Sequence, residues 1–192
     1  GMPEVKEGAP VSPEAAEEAS GDYELLILPH HGIYDGRFAN NGWLQELPDP
    51  VSKVVWGNVA AMAPATAKKL GVEEGDLVRV TVGGNSVELP ALNQPGTAPD
   101  VVVVTLGHGR TSGGLVAVEA GGVNTAPLLG AVSAARPRLA LAATVERGEG
   151  HVEPVRTQLA FSMQNRPIVI DGTLEEYRHD PAFVEHKRHL PD

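Results

Sequence analysis

Asn58-Val-Ala-Ala-Met-Ala-Pro64-Ala-Thr-Ala67-Lys-Lys-Leu70-Gly71-Val-Glu-Glu-Gly75-Asp76-Leu-Val78-Arg-Val80 holds a short helix, a turn and a strand in succession. Pro64 suits the first helical position, whose N–H goes unbonded anyway, and Gly71 suits a left-handed stop, so a helix is predicted over 64–70. Ala63 at the cap has no side-chain acceptor, so this helix must rely on packing Ala67 and Leu70 inward. Glu73 to Asp76 makes a tight turn, and Leu77, Val78, Val80 and Val82 enter a strand. Gly83-Gly84-Asn85 turns the chain into a hairpin whose return alternates Val87, Leu89 and Ala91 with Ser86, Glu88 and Pro90.

Upstream, Tyr23 to Leu28 is a short apolar run suited to a buried strand, ended by Pro29. His30 to Trp43 is a long polar loop with Gly32, Gly36 and Gly42, and Val51 to Trp56 reads as a second strand. Downstream, Val101 to Leu106 is a fully apolar central strand, followed at once by Gly107-His-Gly-Arg-Thr-Ser-Gly-Gly114. Residues 115–138 read as irregular, and Leu139 to Val145 as another strand. The polar tail contains one helix, Thr173 to His179, opened by a capping box of Thr173 and Glu176. Short strands, 22 glycines, 16 prolines and two small helices predict a mostly-β chain closed into a barrel. The expected division is a disordered acidic linker over 1–21, a barrel domain over 22–146, and a C-terminal extension over 147–192 packing on the barrel or on a partner.

The net charge is −10, and half of it lies in residues 1–22, where Glu4, Glu7, Glu14, Glu17, Glu18 and Asp22 face only Lys6. That balance argues against nucleic acid, whose binding rests on Lys and Arg neutralising phosphates. No apolar run approaches the length of a membrane span, and the start lacks the basic and apolar regions of a secretory signal. With no cysteine, the chain offers no thiolate nucleophile and no thiolate-held cluster or zinc.

The glycines of 107–114 let main-chain N–H groups come close to an anion, and Arg110 offers a two-pronged clamp for phosphate, so a diphosphate is the natural guest. The other reading is a loop whose glycines serve turns alone. His30, His31 and His108 leave strand ends, where they serve either as scaffolding or as ligands. Arg37, Asn40, Asn41 and Trp43 either read the edge and face of a heterocycle, or form a turn with Trp43 in the core. His186 and His189 share a spacing that fits one helical face, with no acidic partner evident, which favours a solvated surface. Ser112 lies in Arg-Thr-Ser-Gly-Gly, which is no nucleophile elbow, and no acid–base pair emerges, so no activity is expected of this chain alone.

The opening stretch, with the later Gly107 loop and Asn124, resembles the C-terminal dinucleotide-binding domain of molybdopterin oxidoreductases, a double-psi β-barrel. Ile33-Tyr-Asp-Gly-Arg-Phe-Ala-Asn-Asn41, Trp43 to Pro50, Ser162 to Val169 and Gly172 to Tyr177 resemble the large subunit of the quinol-oxidising alternative complex III. The chain departs from that subunit at Ala63-Pro64 and at Ala160-Phe161. The narrower resemblance implies a non-catalytic structural barrel in a membrane-associated electron-transfer complex, without cofactor and in an extracytoplasmic place. The broader one implies a domain binding molybdopterin guanine dinucleotide in a working enzyme. Under it His31, Arg37, Asn40, His108, Arg110 and Asn124 are the expected cofactor contacts, with no metal ligand among them. Either way the expected partners are other domains or subunits of an oxidoreductase.

Overall fold

The computed structural model describes residues 21–129, 140–158 and 169–187. Six strands carry the fold: β1 (Tyr23–Leu28), β2 (Ala60–Met62), β3 (Asp76–Val82), β4 (Asn85–Asn93), β5 (Val101–Thr105) and β6 (Ala140–His151). They close in the order β1-β5-β2-β4-β3-β6, with β1–β5 and β2–β4 parallel and the other pairs antiparallel. The architecture is the expected one: mostly β, a double-psi barrel with small peripheral helices. Every second residue of the strands faces inward, and Leu25, Ile27, Val78, Val80, Leu89, Val102, Val104 and Ala143 fill the core without solvent contact.

The helix predicted at 64–70 is present as α2 (Pro64–Leu70), following α1 (Gly42–Glu46) in the chain. Ala63 makes no side-chain cap, Ala67 is buried, and Gly71 stops the helix at φ +67. The β3–β4 hairpin turns on Gly83 and Gly84, both at positive φ, as a two-residue loop needs. Asp76 fixes the approach to β3, accepting from the Glu73 N–H (3.0 Å) and pairing with Arg147 of β6 (3.0 Å).

Three expectations fail. Val51 to Trp56 is a turn, not a strand: only Val54 pairs, in a lone bridge with Arg156, and the true β2 is the three-residue Ala60–Met62. The stretch read as irregular contains α3 (Leu115–Glu119) and a 3-10 turn (Ala126–Leu129) whose Leu128 plugs the core. β6 continues six residues beyond Val145, because its polar end still pairs with β3. The chain forms two compact units, 1–157 and 158–192. In the second, α4 (Leu174–His179) has the expected capping box and is followed by α5 (Phe183–Lys187). The expected linker and most of Ser162 to Val169 lie outside the described residues. Among the described residues no helix is long and apolar enough to cross a membrane.

Candidate functional site

β1 and β5 run parallel, so the loops that follow them leave from the same end of the barrel. Leu106 N–H donates to the Leu28 carbonyl (2.9 Å) as the last rung before they diverge. The first loop carries His30, His31, Arg37 and Asn40; the second carries His108, Arg110 and Asn124. A satellite core of Ile33, Ala39 and Ala117, with Leu44 against it, fastens the first loop to α3. The main chains of the two loops cross glycine on glycine. Gly36 (φ +96) and Gly107 (φ +105) meet so tightly that a Cβ on either would come within 2.9 Å of the other's main chain.

The imidazoles form a stack at the root of the loops. His30 is buried, and its Nδ1 accepts from the N–H groups of Gly32 (3.1 Å) and Ile33 (3.3 Å), which leaves its proton on Nε2. The His31 ring lies 4.2 Å from it, and the His108 ring 4.8 Å away, edge-on. His108 is 4% exposed, and neither of its ring nitrogens has a partner among the described residues. Burial first, and then the neighbouring imidazoles, push His30 down to about 4 and His108 down to about 3. Both rings are therefore neutral at pH 7 and add no positive charge to the site.

That leaves the arginines. Arg37 is already occupied: its Nε and Nη2 fork onto Asp35 (2.9 and 2.7 Å), and its guanidinium lies 5.0 Å from the centre of the Tyr34 ring. The same fork holds the Asp35 carboxyl down to about 2. Arg110 is exposed, sits over Gly36 and beside Gly113, and has no ion-pair partner among the described residues. The main-chain N–H groups of residues 110–114 also find no acceptor among those residues. Among the described residues, a guanidinium without an ion-pair partner beside N–H donors without acceptors is an arrangement that can take up an anion.

The amides frame this cradle. Asn40 lies against Gly114 and accepts from the Ala117 N–H (3.3 Å). Asn124 accepts from the Ala126 N–H (3.1 Å), and its main chain presses on Gly109. His31 sits on the flank, with Nε2 donating to the Leu47 carbonyl (3.0 Å) and Nδ1 3.6 Å from Asp49. It borders a cleft of about 360 Å³ that His30, Asp49, Asn58 and Thr105 also line. Asn40, His108, Arg110 and Asn124 thus share one end of the barrel, His31 stands beside it, and Arg37 is neutralised at its surface. Trp43 is 85% exposed, so it does not join the core. His186 has an acidic partner that sequence spacing did not reveal, Asp180 at 2.7 Å, while His189 lies outside the described residues. Among the described residues no three His, Cys, Asp or Glu side chains converge to hold a metal ion.

Sequence reasoning passed over Asn58 as part of the site and did not anticipate the His31–Asp49 pair. Asn58 had one visible signal: it is an amide directly before the apolar run Val59 to Met62, where a polar side chain must find partners.

Residues 36–128 match the family described as the Molydopterin dinucleotide binding domain. A thiosulfate reductase molybdopterin-containing subunit, PhsA, of Salmonella typhimurium is 30% identical over 89 residues, 46% of this chain. The chain spans only 12% of that relative's length. Acetylene hydratase from Pelobacter acetylenicus aligns in structure over 66% of this chain and 18% of its own, with 18% identity and a TM-score of 0.45. The barrel topology rests on the strand pairings above, and the sequence match on the segment that holds the crossing loops, α2 and the β3–β4 hairpin. Residues 36–128 are therefore similar to the molydopterin dinucleotide binding domain over just under half of the chain.

Proposed function

We propose that the loop end of this barrel holds the diphosphate side of a molybdopterin dinucleotide within a larger oxidoreductase. The observation that carries this is that Arg110 and the N–H groups of 110–114 lie together without partners among the described residues. Arg110 would take phosphate oxygens through two donors, and the loop N–H groups would take the remaining oxygens. Asn40 and Asn124 commit their amide oxygens to the main chain, so their NH2 groups are the donors they can turn to a ligand. When bound, the cofactor supplies redox chemistry at molybdenum; this chain's residues bind and orient it.

The test is a thermal-shift titration of the full chain with inorganic pyrophosphate and with guanosine diphosphate. Ligand at 100 times its dissociation constant adds about 2.7 kcal/mol of stability. A rise in melting temperature with either ligand, at least halved in Arg110→Ala, supports the reading. No rise at millimolar ligand counts against it.

A second reading, a structural module docked in a membrane-associated electron-transfer complex, draws on a different observation. The chain has only eight aromatic Phe, Trp and Tyr residues, and three of them, Tyr34, Phe38 and Trp43, are exposed by 48%, 51% and 85% within one short segment. That segment carries the narrower resemblance, and exposed aromatics grouped in sequence suit burial by a partner. Indifference to both ligands, together with co-purification with a multihaem cytochrome, favours this reading over the first.

A further inference from the structure

We infer that Asn58 is the positioning residue of the glycine loop, setting the geometry of residues 107–124 from behind without facing the ligand. The inference rests on the reading that this loop is the ligand-facing element. Asn58 precedes β2 and is 4% exposed. Its Nδ2 donates to the Thr105 carbonyl (3.0 Å) and to the Val123 carbonyl (2.9 Å), and its Oδ1 accepts from the Val123 N–H (2.8 Å). Thr105 ends β5 just before the loop opens, and Val123 stands just before Asn124 as it closes. One buried side chain therefore ties both stems together, across sequence separations of 47 and 65 residues.

The chemistry selects an amide. Two carbonyls and one N–H require two donors and one acceptor within a single short side chain. An aspartate would turn a carboxylate toward two carbonyl oxygens, and an alanine would take away the side-chain partner of both the Val123 N–H and the Val123 carbonyl and leave the Thr105 carbonyl to Thr125 alone. The contact also sets what His108 and Gly109 can do. A Cβ on Gly122 would meet the His108 Cβ at 2.7 Å and Asn58 Oδ1 at 3.0 Å, so the returning strand of the loop passes between the two side chains with no slack. Thr125 adds a second donor to the Thr105 carbonyl (2.8 Å), which reinforces the same junction.

The test compares the full wild-type chain with Asn58→Ala and Asn58→Asp by amide hydrogen exchange, followed by pyrophosphate titration. Both replacements are expected to raise exchange at the hydrogen-bonded loop amides of Gly109, Val118, Ala120 and Val123 by about tenfold or more while the β3–β4 hairpin keeps its protection, and to weaken pyrophosphate binding. Asn58→Asp carries a further signature. Burial raises its carboxyl pKa, and the protonated acid regains one donor, so loop protection returns in part as pH is lowered. Asn58→Ser, which retains a donor and an acceptor at shorter reach, gives intermediate exchange and serves where the other variants do not fold. Unchanged loop exchange, or equal loosening of the hairpin, overturns the inference. If wild-type chain binds no pyrophosphate, the binding proposal falls, while the exchange data still decide what Asn58 does.

Discussion

Arg37 and Arg110 bring equal charge to the same end of the barrel but differ in what already occupies them. Arg37 is held by Asp35, whereas Arg110 has no ion-pair partner among the described residues. Arg110→Ala is accordingly expected to weaken pyrophosphate binding tenfold or more, about 1.4 kcal/mol, and Arg37→Ala less than threefold, by calorimetric titration. Sequence reasoning named both as cofactor contacts, because the Arg37–Asp35 pairing through a loop is invisible in spacing. At the same scale the imidazole stack predicts acid sensitivity. His30 and His108 have folded pKa values near 4 and 3, below the ordinary value of 6.5. The unfolded chain then binds protons that the folded one refuses, so the stability these rings contribute is complete above pH 6.5 and is lost as pH falls toward 4. Urea midpoints at pH 7 and pH 5 should differ in the wild type, and differ less in His108→Leu, which keeps bulk without a proton site.

The elements that could be read from sequence were those with a local physical cause. Pro64 and Gly71 bracket α2, Gly83 and Gly84 turn the β3–β4 hairpin, and the capping box opens α4. Those that escaped owe their form to distant partners. Ala60–Met62 is too short to show a period and is a strand because β4 and β5 flank it, while Val51 to Trp56 has strand composition but only the Val54 bridge. Asn58 escaped for the same reason, since its partners lie at the end of β5 and beyond it. Glycines divide similarly. Gly84 and Gly107 both have positive φ, yet a Cβ at Gly84 meets nothing within 4 Å while one at Gly107 meets the main chain of Gly36. Gly84→Ala is expected to cost about 1 kcal/mol and Gly107→Ala about 3 kcal/mol, by denaturant unfolding, with pyrophosphate binding lost only in the second.

Across the barrel unit the stability sits in the interior and the proposed recognition chemistry at one rim, so damage to each should separate. Leu89 is fully buried in β4, and Leu89→Ala is expected to cost about 2–5 kcal/mol by urea unfolding. Trp43→Ala, at a site 85% exposed, should move stability by less than about 0.5 kcal/mol. The closure of that interior depends on β6, whose residues 140–143 pair with β1 and whose residues 144–151 pair with β3. During synthesis this strand leaves the ribosome after the other five described strands. Until it does, β1 and β3 present two raw margins with main-chain donors and acceptors unspent, open to any neighbouring nascent strand. The interval before His151 emerges is thus when the chain most needs a chaperone's shelter.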